Sequence, residues 1–211
     1  MIQWVFERTR SAGSLSRIVI ATDDERIRRA AESFGAEVWL TSPGHRSGTE
    51  RVAEAAQKLQ ASCIINVQGD EPLVRGDMVD ALVSALQDDG IPMATLAART
   101  DDLSLLEEEG VVKVVTDVKG FALYFSRSPV PHGTTDFFWR HVGLYGYQRD
   151  FLMKLSRMAP SRLEKMERLE QLRVLENGFK IKVVETDAET WSVDYPQDIA
   201  KVASLLTKEQ T

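Results

Sequence analysis

Short apolar runs alternate with amphipathic segments through the first half of the chain. The runs are rich in β-branched residues and predict strands over residues 17–21, 37–40, 63–67 and 93–98. Between them, apolar residues recur at helical spacing and predict helices over residues 1–11, 25–34, 49–59 and 78–86. The run 63–67 is apolar almost throughout, which is typical of a strand buried on both faces of a parallel sheet. This alternation predicts an α/β fold with an open, mostly parallel sheet and helices on both faces.

The alternation of predicted strands and helices ends in the second half of the chain. Two apolar runs, 111–115 and 121–125, flank a turn from Asp117 to Gly120 and predict a hairpin. A further strand is predicted over residues 142–147. Residues 111–150 therefore form a smaller β-rich subregion inside a chain whose length predicts a single domain over residues 1–211.

The last part of the chain has clear helix signals. Ser161 with Glu164 three residues later is a capping box and predicts the start of a long helix, which Asn177 and Gly178 would close. A late strand is predicted over residues 181–184. Asp194, close before a proline, predicts the start of a final helix.

The composition excludes several classes of protein. Hydrophobic residues make up 43% of the 211 residues and charged ones 27%, which is typical of a globular chain. The formal net charge of −6 disfavours a nucleic-acid partner, although a local basic pocket for a phosphorylated small molecule stays possible. A single cysteine excludes an internal disulfide. Because no membrane-spanning run or signal peptide is recognisable, we expect a cytoplasmic protein with no membrane partner.

The common nucleotide and metal motifs are missing from the sequence. Neither G-x-x-x-x-G-K-[ST] nor G-x-G-x-x-G occurs, which disfavours a P-loop kinase or a standard dinucleotide dehydrogenase. The three histidines, His45, His132 and His141, lack zinc-ligand spacing. The candidate chemistry must come from other residues.

The most informative segment runs from Gln68 to Pro72, directly after the most apolar predicted strand. Open α/β sheets bind ligands at the carboxyl ends of their strands, and a carboxylate there suits Mg²⁺. Asp70 is the candidate; the alternative is a polar turn in which Asp70 only caps a helix. Asp194 could meet the same metal, although an aspartate at a helix start is also an ordinary cap.

A second candidate is the segment of small and polar residues from Ser47 to Arg51. It lies between a predicted strand and a helix, where helix-start N–H groups suit contacts to a ribose or base. The guanidinium of Arg51 offers a planar fork of donors. A simple capped helix explains Ser47 and Thr49 equally well.

A third candidate lies on the predicted strand 142–147 and just before it. His141, Gly143 and Tyr145 would share one strand face, because side chains alternate along a strand. Such a polar face suggests a hydroxylated or carboxylated ligand; a subunit interface or a satisfied core network are alternatives. The long predicted helix carries further polar residues: Glu167, Glu170, Gln171 and Arg173. Charges of this kind often form only a solvated face.

Taken in order, these segments resemble one family, the 3-deoxy-manno-octulosonate (Kdo) cytidylyltransferases, also called CMP-Kdo synthetases. The matches are collinear over essentially the whole chain and include S-G-T-E-R at 47–51, N-V-Q-G-D-E-P at 66–72, V-K-V-V at 112–115, A-L-Y-F-S-R at 122–127, R-H-V-G-L-Y at 140–145, L-E-Q-L-R-V-L at 169–175 and V-D-Y-P-Q-D at 193–198. The resemblance implies a Rossmann-like nucleotidyltransferase sheet. It also implies a reaction in which CTP and Kdo give CMP-Kdo and pyrophosphate, with Mg²⁺, for lipopolysaccharide synthesis.

The resemblance also implies roles for individual residues. Asp70 and Asp194 match the family's metal carboxylates and would be the catalytic pair. The positions that match its cytidine contacts are Ser47, Gly48, Thr49, Arg51 and Gln68. The positions that match its sugar-acid pocket are Arg127, His141, Tyr145, Glu170 and Gln171. A homodimer is implied as well, through the strand region 142–147.

The sequence departs from the family at its start. Family members begin with a strand and a loop of the form P-A-R-x-x-S-x-R-L-P-G-K-P, which holds the triphosphate of CTP, and the residues from Met1 align with the segment after that loop. If this loop lies upstream in the natural chain, we expect an ordinary enzyme; if Met1 is the true start, we expect severely reduced turnover. Two alternatives stay open: a related sugar-acid cytidylyltransferase, for example one that uses 8-amino-Kdo, and a catalytically impaired pseudoenzyme.

Overall fold

Helices and strands follow one another in the alternation that the apolar pattern predicts. The computed structural model of the protein describes residues 1–188, 190–193 and 195–209. The elements are α1 (Ile2–Thr9), β1 (Ile20–Thr22), α2 (Glu25–Ser33), β2 (Val38–Leu40), α3 (Gly48–Ala56), β3 (Cys63–Asn66), α4 (Gly76–Ala85), β4 (Met93–Thr100), β5 (Lys113–Thr116), β6 (Ala122–Ser126), β7 (Phe138–Gln148), α5 (Arg149–Leu155), α6 (Arg162–Glu167), α7 (Leu172–Glu176), β8 (Ile181–Thr186) and α8 (Asp198–Glu209). A short 3₁₀ helix spans Leu103–Glu107. The predicted α/β class is confirmed.

The chain divides into two compact units. The first comprises Met1–Ala61, Asn66–Asp80 and Ala188–Thr211. In it, β1 and β2 pair in parallel. Ile20 of β1 forms a buried core cluster with Phe6, Ala31 and Ala36, and the ring of Phe6 lies 5.6 Å from that of Phe34. This cluster joins α1 and α2 to the short sheet, so burial of apolar side chains holds the unit together.

The second unit comprises Ser62–Ile65 and Ala81–Asp187. It contains most of a six-stranded sheet in which the order is β6-β5-β7-β4-β8 and β3 also pairs with β7. The pair β4–β8 is parallel, whereas β4–β7, β5–β6 and β5–β7 are antiparallel. The sheet is therefore mixed, and its antiparallel part includes β5, β6 and β7 from the predicted β-rich subregion.

Local sequence signals place several element boundaries correctly. The Asp24 carboxylate accepts a hydrogen bond from the backbone N–H of Arg26 at 2.7 Å and caps α2. The β5–β6 hairpin forms as predicted, because the Asp117 carboxylate accepts hydrogen bonds from two backbone N–H groups of the turn. Gly120 completes this turn at φ +74°, a left-handed conformation that glycine adopts without strain.

The prediction of one long helix over residues 161–178 is wrong. The structure has two short helices instead, α6 and α7, because Arg168 ends α6 in the left-handed conformation at φ +56°. The buried guanidinium of Arg173 reaches back across the break to the Glu164 carboxylate, with Nε 2.8 Å from Oε2. The capping box predicts where α6 starts. The buried ion pair that joins the two helices could not be predicted from the local sequence pattern.

Among the residues that the structure describes, no helix is both long enough and apolar enough to cross a membrane.

Candidate active site

The loop after β3 forms a tight turn that carries the first candidate carboxylate. The backbone N–H of Glu71 donates to the carbonyl oxygen of Gln68 at 3.3 Å, and Asp70, between them, is half-buried. The backbone carbonyl of Asp70 accepts a hydrogen bond from the N–H of Val193 at 2.9 Å. Asp194, the second predicted carboxylate, lies outside the described residues.

Two of the predicted nucleotide contacts, Gly48 and Gln68, lie against each other in the first unit. A Cβ built on Gly48 would stand 3.2 Å from Oε1 and 3.3 Å from Nε2 of Gln68. The Gln68 amide therefore packs directly over the first residue of α3. Ser47 caps the same helix and accepts from the N–H of Glu50 at 3.3 Å, so its hydroxyl has the capping role that the sequence left open.

Arg51 is fixed by two partners that the sequence reasoning missed. Its Nη1 donates to Oγ1 of Thr41 at 2.5 Å, and its Nη2 lies 3.1 Å from Oδ2 of Asp23. These partners follow β2 and β1, so the guanidinium is anchored where both parallel strands end. The sequence feature that could have indicated the Asp23 partner was the pair Asp23 and Asp24 directly after β1, where only a helix cap was predicted. Thr49, on the same helix, is buried at 5% exposure.

The shared face of His141, Gly143 and Tyr145 on β7 is confirmed. These residues are half-buried and alternate with the buried Val142 and Leu144. The rings of His141 and Tyr145 lie 5.5 Å apart. The second unit therefore presents an aromatic and imidazole surface at this position.

The imidazole of His141 is neutral at physiological pH. Burial, with a smaller effect from the neighbouring positive charge of Arg140, lowers the pKa of His141 to about 3. Its Nε2 lies 2.9 Å from the hydroxyl oxygen of Thr95. A neutral imidazole exchanges hydrogen bonds with a ligand but supplies no charge.

Arg127 is held in place by backbone oxygens. Its Nε donates to the carbonyl of Glu167 and its Nη1 to the carbonyl of Glu109, at 2.9 and 2.8 Å. The Glu167 carboxylate accepts instead from the backbone N–H of Arg127 and from the hydroxyls of Tyr124 and Ser126. Within the described part of the chain, the guanidinium of Arg127 has no ion-pair partner, and its charge stays available to an anionic ligand.

Lys113 is a buried cation that the sequence reasoning did not single out. It is fully buried, and its ammonium group donates to the carbonyl oxygens of Glu108, Val111 and Arg127. Burial lowers the pKa of Lys113. The three bonds tie the loop before β5 to the end of β6 and so position Arg127. The sequence feature that could have indicated this buried cation was a lysine inside the apolar run 111–115.

Glu170 and Gln171 lie in the break between α6 and α7 rather than on one continuous helix. Gln171 is only 4% exposed, and its Nε2 has no hydrogen-bond partner among the described residues. An unpaired buried amide costs about 1–3 kcal/mol. A ligand oxygen that accepted from Nε2 would remove this cost.

No group of three or more histidine, cysteine, aspartate or glutamate side chains in the described residues could hold a metal ion. The predicted pair of Asp70 and Asp194 is smaller than such a group, and one of its members lies outside the description. Mg²⁺ needs only one or two carboxylates, since water and substrate phosphates complete its octahedron. The oxygen donor of Asp70 is of the chemical type that Mg²⁺ prefers.

Comparison with known proteins decides the family. A family model described as "Cytidylyltransferase" matches residues 1–182. The 3-deoxy-manno-octulosonate cytidylyltransferase of Geobacter metallireducens is 48% identical over an alignment that covers 100% of this chain and 89% of that protein. The enzyme of the same name from Solibacter usitatus is 49% identical and is aligned over 97% of this chain and 83% of its own. The chain belongs to the 3-deoxy-manno-octulosonate cytidylyltransferase family. It is therefore a nucleotidyltransferase, and the resemblance drawn from the sequence is confirmed.

Solved structures support the fold. A CMP:2-keto-3-deoxy-manno-octonic acid synthetase complexed with CTP superposes with a TM-score of 0.92 at 38% identity, covering 99% of this chain and 88% of that one. HddC from Yersinia pseudotuberculosis has a TM-score of 0.66 at 13% identity, over 97% and 83% of the two chains, and shares the fold alone. The predicted nucleotidyltransferase fold is confirmed.

Proposed function

We propose that the protein transfers CMP from CTP to the anomeric hydroxyl of Kdo, releasing pyrophosphate and supplying CMP-Kdo for lipopolysaccharide synthesis. The observation that carries the sugar-acid half of this proposal is the guanidinium of Arg127, which carbonyl oxygens of Glu109 and Glu167 hold in place without neutralising it. A fixed, uncompensated guanidinium suits a carboxylate, which it binds through paired hydrogen bonds. Kdo carries such a carboxylate beside its anomeric carbon.

The sugar acid is assigned to residues of the second unit. Arg127 would bind the carboxylate, while the neutral His141 and the hydroxyl of Tyr145 suit the sugar hydroxyls. Gln171 would donate its unpaired Nε2–H to a sugar oxygen. Glu170 completes the set as an acceptor, because a carboxylate accepts from hydroxyl groups. Together, these side chains suit a polyhydroxylated acid rather than an apolar ligand.

The nucleotide is assigned to residues of the first unit. The amide of Gln68, packed over Gly48, offers both a donor and an acceptor to a base edge. Ser47 caps α3 and Thr49 lies in its first turn, where the first N–H groups of the helix favour oxygens of a ribose. Arg51, anchored by Thr41 and Asp23, orients this end of the helix.

Asp70 and Asp194 are the residues that would hold Mg²⁺. When bound, Mg²⁺ supplies positive charge that offsets the anionic phosphates during attack on the α-phosphate. The turn from Gln68 to Glu71, in the loop after β3, fixes the backbone position of Asp70. The hydrogen bond from the N–H of Val193 to the carbonyl oxygen of Asp70 holds the same backbone. The role of Asp194 rests on the sequence.

We further propose a homodimer in the cytoplasm, where CTP is available. The strand β7 lies between β5 and β4 and also pairs with β3, so it has backbone partners on both sides within the chain. Contact with a second copy through this region would then use side chains rather than strand pairing. Analytical ultracentrifugation of the purified protein tests the dimer; a monomer across micromolar concentrations contradicts it.

Pyrophosphate release from CTP and Kdo in the presence of Mg²⁺ tests the reaction. The assay should use the 211-residue chain and the same chain extended by any in-frame coding sequence upstream. Turnover that needs both substrates supports the proposal; its absence in every form contradicts it. Parallel reactions with 8-amino-Kdo and sialic acid distinguish a related sugar-acid cytidylyltransferase, which would prefer one of these acceptors.

A further inference from the structure

Thr95 lies on β4, opposite an irregular stretch of β7. The register of the two strands shifts directly after Thr95, and its side chain is fully buried. Its hydroxyl oxygen lies 2.8 Å from the carbonyl oxygen of Leu144 and 3.3 Å from that of Val142. It also lies 2.9 Å from Nε2 of His141. One hydroxyl group thus lies within hydrogen-bonding distance of three polar atoms of β7, at the point where the register shifts.

Counting protons assigns the direction of each hydrogen bond. A hydroxyl has one proton and two lone pairs, whereas a carbonyl oxygen only accepts. The proton of Thr95 must point to the nearer carbonyl, that of Leu144, because two oxygens at 2.8 Å would otherwise repel each other. The lone pairs of Thr95 then face Nε2 of His141. Nε2 must therefore carry a proton.

The charge state of His141 completes the assignment. Burial lowers the pKa of His141 to about 3, so the ring carries a single N–H at neutral pH. If that proton is on Nε2, then Nδ1 is a bare acceptor. Among the described residues, Nδ1 has no hydrogen-bond partner.

We infer that Thr95 is a positioning residue that holds His141 in the Nε2–H tautomer, so that Nδ1 accepts a hydrogen bond from a hydroxyl group of the sugar acid. This inference rests on the proposed function, which places the sugar acid at His141. The unprotonated Nδ1 would make His141 selective between the polar groups of the sugar acid, because a bare nitrogen attracts a hydroxyl donor and repels a carboxylate oxygen. The carboxylate is thereby directed to Arg127 and a hydroxyl to His141.

Nitrogen-15 NMR of the ring of His141 in the substrate-free protein at pH 7 tests the tautomer. We expect the Nε2–H form in the wild type and in Thr95→Ser, which keeps the hydroxyl. Thr95→Val removes the hydroxyl at nearly constant volume and should give a mixture of tautomers. It should also raise the KM for Kdo by about fivefold to tenfold, the equivalent of one hydrogen bond, with little change in the KM for CTP.

Thr100→Val is the matched control on the same strand, because within the described part of the chain its hydroxyl reaches only the carbonyl of Ala98, at 3.5 Å. It should leave both the tautomer and the KM unchanged. An Nδ1–H or doubly protonated ring in the wild type overturns the inference, as does an unchanged tautomer and KM in a folded Thr95→Val. If Thr95→Val does not fold, the spectra of the wild type and Thr95→Ser decide. The spectra need no substrate, so a failure of Kdo turnover would overturn the proposed function separately.

Discussion

The backbone N–H of Val193 donates a hydrogen bond to the carbonyl oxygen of Asp70 over 2.9 Å. The two residues are far apart in the sequence, so this bond anchors a late segment of the chain to the loop after β3. Asp194 is the next residue after Val193 in the chain. Because the bond uses only backbone atoms, a substitution at the side chain of Asp70 leaves its two hydrogen-bonding atoms in place.

Asp70→Asn should reduce Mg²⁺-dependent turnover by about 100-fold or more, since loss of a metal carboxylate removes several kcal/mol of charge stabilisation. The amide has nearly the same size, so the melting temperature should change little. Pyrophosphate release at saturating CTP and Kdo measures the effect. The control is Asp89→Asn, at an exposed position; turnover of Asp70→Asn equal to this control would exclude Asp70 as a metal ligand.

Arg127→Lys should raise the KM for Kdo by about tenfold or more while the KM for CTP stays constant. Lysine keeps the charge but has no fork to bind a carboxylate while bonding to the carbonyls of Glu109 and Glu167. Steady-state kinetics with each substrate varied in turn separate the two constants. Arg157→Lys, at an exposed position, is the control. An equal rise in both KM values would point to a structural role for Arg127.

Gly48→Ala should weaken CTP binding by about threefold to tenfold, because the new methyl group would stand 3.2 Å from Oε1 of Gln68 and must displace that amide. Titration of CTP by calorimetry measures this. A double-mutant cycle with Gln68→Ala sharpens the test, since the effect of Gly48→Ala should largely vanish once the amide is gone. Gly13→Ala is the control, because its methyl group would stand 3.9 Å from the nearest atom, a carboxylate oxygen of Asp80. Additive effects in the cycle would contradict the contact.

His141 should make the protein less stable as the pH falls from about 6.5 to about 3. The folded pKa of about 3 lies below the ordinary histidine value of 6.5, so in this window the unfolded chain binds a proton that the native state does not. His141 then contributes a slope of at most about 1.4 kcal/mol per pH unit to the free energy of unfolding. Above the window its contribution is constant.

Urea unfolding of the wild type and of His141→Gln across this pH range isolates the slope, because glutamine does not titrate and the carboxylates are common to both proteins. The stability difference between the two should shrink as the pH falls. Parallel pH profiles would show that the histidine titrates equally in both states, contrary to its burial.

Local signals predicted most of the elements, and their limits are seen in particular residues. Asp24 and Asp117 act through bonds to backbone within a few positions, so the α2 cap and the β5–β6 hairpin were predictable. The break at Arg168 was not, because the Arg173–Glu164 pair that spans it depends on burial at the junction of α6 and α7. Lys113 was overlooked for the same reason, since its acceptors come from separate segments.

By itself, the sequence determined the α/β alternation, the family and the candidate site residues, because periodicity and motifs are properties of neighbouring residues. The tertiary structure decided which partners those side chains contact. It packed Gln68 over Gly48, left the guanidinium of Arg127 without an ion-pair partner in the described chain, and set Thr95 against His141. Each of these depends on strands that pair or pack across long stretches of chain, where distance, burial and the count of available protons decide the chemistry.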